Sequence, residues 1–211
     1  MASVVVLFVE LEMLKFFFPN NSDYVLNYSL TGLKKIDWSI LFFRLSLGAG
    51  EEIVKSYFLL FYIYYSKYFT RISEGMTYGI VLALGFSLVE NSMYFFKISG
   101  MNTDLSQMIA PLAMRAVGPL LVHAACAGLV GFYIGRKKFG RSHMPLFSLA
   151  LVAAILIHVA YDFFILLPKF GFAVSFAAAL AVLFFLDREA SKPESKKAHK
   201  AITRVLFPPE N

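Results

Sequence analysis

Two adjacent glutamates and a lysine, Glu51, Glu52 and Lys55, stand together in the stretch "GAGEEIVKSYF", between the apolar blocks "WSILFFRLSL" and "SYFLLFYIYY". Glu90, His123, His158 and Asp162 stand in three later apolar stretches. Carboxylates and imidazoles are the groups that hydrolysis uses. Cleaving an amide needs a base to take a proton from water, an acid for the leaving amine, and positive character at the developing oxyanion. A carboxylate out of water holds its proton more tightly, which makes it a stronger base.

These groups are expensive where they stand. Arg44, Glu51, Glu52, Lys55, Glu90, Arg115 and Asp162 all fall within hydrophobic stretches. At about 2.5–3.5 kcal/mol for a charge at the centre of a membrane helix, seven unpaired charges would cost on the order of 20 kcal/mol. Pairing and peripheral placement must remove most of that, so several of these groups are expected to face one another inside a bundle. Taken singly, each has an ordinary explanation: an intrahelical ion pair for Glu51 and Lys55, an interhelical hydrogen bond for His123 or His158, a cap for Asp162. Four successive apolar stretches each carrying such a group are less simply explained.

Spacing refines the picture. Glu51 and Lys55 are four residues apart and can pair along one helix face, leaving Glu52, about 100° round the helix, to point elsewhere. His158 and Asp162 share a face by the same spacing, as do Phe86, Glu90 and Tyr94.

The elements that must position these groups are apolar helices. The 211 residues are 58% hydrophobic and only 16% charged, with a mean hydropathy of +0.65; soluble domains run nearer a quarter charged. The pattern predicts an all-α, polytopic membrane bundle of five to six transmembrane helices. Five core spans are expected over residues 36–66, 76–97, 108–135, 145–167 and 170–186, with an N-terminal apolar helix that spans the bilayer or lies at its surface. Residues 1–35 form that helix and its connector, 36–186 the membrane core, and 187–211 a basic tail. Gly75 with Gly79, Gly131 with Gly135, and Ala124 with Gly128 have the spacing of close helix packing. A single cysteine, Cys126, excludes an internal disulfide and a cysteine-based metal site.

The net charge of +6 marks a basic cytoplasmic face, not a nucleic-acid partner. Arg136, Lys137, Lys138 and Arg141 crowd one connector, Lys67 and Arg71 another, and six more basic residues the tail, while residues 98–107 hold none. By the positive-inside rule the basic loops and tail are cytoplasmic; Lys34 and Lys35 dissent.

The polar groups resemble the motifs of the PrsW family of intramembrane proteases. "EEIVK" matches its EExxK motif, and "GFSLVENSMYF" its second, with Phe86, Glu90 and Asn91. "RAVGPLLVH" followed by "GLVGFYIG" is similar to its third block and "HVAYD" to its last. The arrangement also resembles the CAAX prenyl protease and bacteriocin-immunity group, whose first motif is EExxxR. The resemblance covers residues 48–162. It implies a multi-pass endopeptidase of a prokaryotic cell membrane that cuts a membrane-anchored protein, as in regulatory cleavage of an anti-sigma factor.

The expected catalytic set is Glu51, Glu52, Glu90, His123 and His158, supported by Lys55, Asn91, Arg115 and Asp162. In the favoured reading no metal takes part: Glu52 is the base, and Glu51, held by Lys55, orients it. In the alternative, His123, His158 and Glu90 bind Zn²⁺ and Glu52 activates the bound water. Two other functions fit buried acids and imidazoles: a proton-coupled transporter, whose usual internal repeat is not visible here, and a non-catalytic scaffold or immunity-type binder, which would have lost some of these groups, whereas every motif residue is intact here.

Overall fold

The computed structural model describes residues 38–99, 105–139, 144–164 and 171–190. The N-terminal segment and the tail beyond residue 190 lie outside them, as do the side chains of Tyr94 and Arg115. The described residues form five α-helices: α1 (Trp38–Phe58), α2 (Ile72–Ser99), α3 (Leu105–Lys138), α4 (Met144–Phe164) and α5 (Gly171–Ala190). They coincide with the five stretches expected from hydropathy. The last runs four residues past the expected edge of the core at 186, through Asp187, Arg188 and Glu189.

Three of the helices hold segments long and apolar enough to cross a membrane: Ile72–Met93 in α2, Val117–Lys138 in α3 and Pro145–Phe163 in α4. Helix α1 carries Arg44, Glu51, Glu52 and Lys55 within its 21 residues, more charge than a lipid-facing span tolerates. It is held by protein on its charged face. Its other face exposes Ile53 and Tyr57, continued by Phe61 just beyond the helix, and similar stripes run along α2 (Val81, Leu84, Leu88) and α4 (Leu149, Val152, Leu156). Large apolar side chains repeating every three or four residues toward the outside are what a bundle in lipid requires.

Helix α3 is the axis. Its apolar segment is 72% buried, against 33% for α2 and 28% for α4, and it touches all four other helices. Val122, Cys126, Val130 and Ile134 repeat every four residues on its inner face and join Leu59, Phe69, Phe147, Ala154, Tyr161 and Ala179 in one core. Helix α2 makes its largest contact with α3, and α1 with α4.

The α2–α3 crossing depends on missing side chains. A Cβ on Gly79 would collide with the Ala127 carbonyl, and Cβ atoms on Gly75 and Gly131 would each collide with the other's backbone. The expected packing role of these glycines is met. At the start of α2, the Glu74 carboxylate accepts the backbone N–H groups of Thr70 (2.6 Å) and Arg71 (3.1 Å), satisfying donors that the helix leaves open. After Phe58 the chain makes one π-helical turn, Leu59–Ile63, immediately beyond the charged group of α1.

Candidate active site

Four successive helices each deliver a polar group to one place. Glu51, Glu52 and Lys55 come from α1, Glu90 from α2, His123 from α3 and His158 from α4. Glu52 and Lys55 are 0% and 1% exposed, and Glu51, His123 and His158 are buried as well. Glu90 is the more open, with 19% of its side chain accessible.

The approach of α1 to α4 rests on Gly48. A Cβ there would lie 3.0 Å from Val159 Cγ2 and 3.6 Å from the His158 ring. The missing side chain lets the glutamate pair, one turn on, reach the imidazole. Near the other end of this contact, Arg44 Nη1 donates to the Asp162 carbonyl at 3.2 Å and holds α1 to the last turn of α4.

The two histidines are held alike. His158 Nδ1 lies 2.8 Å from Glu52 Oε1, so its other nitrogen, Nε2, faces Glu51 Oε2 at 3.8 Å. His123 Nε2 lies 3.0 Å from Glu90 Oε2, and its other nitrogen, Nδ1, faces the same Glu51 oxygen at 3.9 Å. Each ring is thus oriented by one carboxylate and turned toward Glu51. The rings meet edge to face with centroids 4.8 Å apart, and Phe86 backs the His123 ring at 5.3 Å.

Lys55 completes the cluster. Its Nζ lies 2.5 Å from Glu52 Oε1, 2.9 Å from His123 Nδ1 and 3.9 Å from Glu51 Oε2. The sequence spacing predicted the Glu51–Lys55 pair, but the close partner is Glu52, three residues back. Both spacings bring side chains onto one face. Glu52 is the more completely enclosed of the two buried glutamates, and the more enclosed carboxylate gains more from a counter-charge.

Glu51, His123 and His158 form a set of three buried donors whose ligand atoms lie within 4.8 Å of one another. Tetrahedral Zn²⁺ with bonds of about 2.0–2.1 Å sets its ligands about 3.4 Å apart, so small side-chain shifts bring this set into range. Charge agrees with that: with the carboxylates ionised and the imidazoles neutral, three glutamates and one lysine leave a surplus of two negative charges. A carboxylate on the far nitrogen of each ring is the arrangement that orients metal-bound histidines. The donor set therefore fits a divalent metal. The expected zinc set had Glu90 in it, but Glu90 holds His123 from behind while Glu51 stands between the rings.

Asp162 borders this group, and Asn91 follows Glu90 on α2. Asp162 Oδ2 is 3.9 Å from His158 Nε2, and Asn91 donates to Ser87 Oγ at 3.3 Å on α2. The side chain of Arg115 lies outside the described residues. Sequence reasoning missed Gly48 and Arg44 as positioning residues. Gly48 had a signal, a small residue one turn before the acidic pair; the Arg44 contact is to a backbone carbonyl and leaves none.

The comparisons with known proteins agree with the motifs. Residues 2–186 match the model of a family described as PrsW family intramembrane metalloprotease. The chain is 31% identical over 140 residues to Protease PrsW of Halalkalibacterium halodurans, covering 66% of this chain and 61% of that one. It is 30% identical over 121 residues to Protease PrsW of Bacillus subtilis, covering 56% and 51%, and 32% over 130 residues to that of Clostridioides difficile, covering 60% and 52%. The chain thus spans between half and about three-fifths of the length of these relatives. No solved structure matches it. A match that begins at residue 2 and ends at the last apolar turn of α5, on a bundle whose polar groups meet as the motifs require, makes this membrane protein a member of the PrsW family.

Proposed function

We propose that the chain is an intramembrane endopeptidase that hydrolyses a peptide bond of a membrane-anchored protein at the cluster of Glu51, Glu52, Glu90, His123 and His158. The observation that carries the reading is the paired arrangement of the histidines: each is fixed by a carboxylate on one nitrogen and presents the other to Glu51. A transporter or scaffold has no need of two imidazoles aimed at one carboxylate.

In this reading Glu51, His123 and His158 would hold a divalent metal. Bound there, the metal would supply Lewis acidity and lower the pKa of a water. Glu52 and Glu90 keep the rings in register. Glu90, the most open of the three glutamates, is the one of them that solvent reaches most easily. The apolar walls exclude bulk water, which strengthens every charge interaction inside.

One observation favours a second, metal-free reading, in which Glu52 activates water directly. Lys55 lies against His123 Nδ1, the nitrogen a metal would need, and Glu52 Oε2 is buried with no hydrogen-bond partner.

Cleavage of a single-span substrate by the purified full chain in detergent, with and without 1,10-phenanthroline, decides between them. Loss of cleavage with the chelator and its return on adding Zn²⁺ is the expected result. Undiminished cleavage after metal stripping would establish the glutamate–water reading instead. The family resemblance supports a multi-pass placement in a cell membrane, and the distribution of Lys and Arg supports basic connectors and tail on the cytoplasmic side.

A further inference from the structure

Lys55 is the anomaly of this site. An ammonium group that is 1% exposed on an apolar helix normally serves one carboxylate. This one reaches three of the groups around it: Glu52 Oε1 at 2.5 Å, His123 Nδ1 at 2.9 Å and Glu51 Oε2 at 3.9 Å. Two of those residues, His123 and Glu51, belong with His158 to the candidate metal set, and the atoms that Lys55 reaches are the ones they turn toward one another. A dication bonded to His123 Nδ1 and an ammonium 2.9 Å from the same nitrogen cannot coexist. The nitrogen has one lone pair, and the two charges repel.

We infer that Lys55 is a built-in competing cation: its ammonium occupies the donor set formed by Glu51 and His123, and a divalent metal binds only as Lys55 withdraws, so that Lys55 sets the metal affinity of the site. The inference rests on the metal-dependent reading above. It goes further by giving the lysine of the EExxK motif a role toward the metal and not only toward a glutamate.

Two partners that Lys55 already has can keep it when it leaves His123 and Glu51. The Phe86 ring lies 4.8 Å from Nζ in its present position, within the range at which aromatic faces attract ammonium groups. Glu52 Oε2 is buried without a hydrogen-bond partner, so Lys55 can give up His123 and Glu51 and stay with Glu52. The four-carbon stem of lysine turns through such a shift without moving the helix. Lys55 is then a positioning residue: it keeps the donors apart and neutralised until the metal arrives.

Such a competitor weakens binding by a calculable factor. When only a fraction of molecules has the donors free, the apparent Kd rises by the reciprocal of that fraction; a site open about a tenth of the time binds about tenfold more weakly. Removing the competing charge should therefore tighten binding by about tenfold or more.

The test uses the metal-stripped, full-length chain in detergent, titrated with Co²⁺, whose visible absorption reports coordination, and with Zn²⁺ in competition. Lys55→Met keeps the apolar stem and removes the ammonium. The expected result is one Co²⁺ per chain in both proteins, bound about tenfold or more tightly by Lys55→Met, and lost when His123→Ala is added to it. Lys55→Met leaves Glu52 enclosed without its partner and can fail to fold for that reason. The double variant Lys55→Met with Glu52→Gln removes both charges and keeps an acceptor for His158 Nδ1; it should bind Co²⁺ more tightly than Glu52→Gln alone. Equal or weaker binding after removal of Lys55, in either background, overturns the inference and leaves the metal reading standing. Absence of stoichiometric binding in every variant overturns both.

Discussion

Glu51 and Glu52 are neighbours in sequence and opposites in situation. Glu52 is wholly enclosed and spends Oε1 on Lys55 and His158, whereas Glu51 turns Oε2 toward both imidazoles. Their substitutions should separate accordingly. Glu51→Gln removes a charged donor between the rings and should abolish stoichiometric Co²⁺ binding along with cleavage. Glu52→Gln keeps an acceptor for the ring but lowers its basicity, and losses behind a metal ligand run about 10–100-fold in affinity or activity. Equilibrium dialysis against Co²⁺ and cleavage rates, on samples matched for membrane insertion, measure both. Equal losses at the two positions would contradict the division of roles. The cost of seven charges in apolar helices was enough to predict that several of them meet, as Glu51, Glu52 and Lys55 do. Which glutamate faces the rings was not legible, because Lys55 is three residues from one and four from the other, and both separations share a helix face. The side of the His123 ring on which Glu90 lies was not legible for a related reason: spacing within one helix says nothing of whether a side chain stands between two rings or behind one.

Helices place these residues, and the placement turns on two close approaches. Where α2 crosses α3, Gly75, Gly79 and Gly131 leave no room for a Cβ, so Gly79→Val must push the helices apart. Overpacking of this kind costs about 1–3 kcal/mol, and since Glu90 and His123 ride on these two helices, their 3.0 Å contact should open as well. Where α1 meets α4, Gly48→Val would press on Val159 and His158 and turn the ring away from Glu51. Gly50 has nothing within 4 Å of its would-be Cβ, so Gly50→Ala serves as the control. The expected outcome is a lowered melting temperature and at least tenfold weaker Co²⁺ binding for Gly79→Val, weaker Co²⁺ binding for Gly48→Val, and neither change for Gly50→Ala. The helices themselves were plain in the sequence, because apolar runs of about 20 residues bounded by charge admit little else. The glycine pairs announced a close crossing. The partner of each helix did not show, since hydropathy fixes which residues leave water but not which helix they meet.

For the whole molecule the open quantity is its orientation. At one end of the bundle Lys137 and Lys138 lie over an aromatic group: Lys137 is 5.6 Å from the Tyr64 ring, and Lys138 is 4.6 Å from the Phe69 ring and donates to the Ser66 carbonyl at 3.0 Å. Basic side chains stacked on aromatic rings at the ends of apolar helices are what a bilayer interface selects. This end gathers the close of α3 and the connection from α1 to α2, where Lys67 and Arg71 also stand. Residues 98–107, which join the far ends of α2 and α3, carry no Lys or Arg. The asymmetry predicts the basic end in the cytoplasm and the α2–α3 connection outside. Cys126, the sole cysteine, is 0% exposed and donates to the Ala154 carbonyl at 3.3 Å, so an added cysteine can be read against an unreactive background. In whole cells a membrane-impermeant maleimide should label Asn102→Cys at once and Ser142→Cys only after lysis. The reverse pattern would invert the protein in the membrane and place the aromatic–basic end outside. Since Glu90 and Asp162 lie toward the ends of α2 and α4 that point away from Lys137 and Lys138, the same labelling also fixes the side of the membrane toward which these two residues lie. Exposure of Asn102→Cys in intact cells puts Glu90 and Asp162 toward the outer side, and under the proposed function that is the side on which an anchored substrate would present its bond.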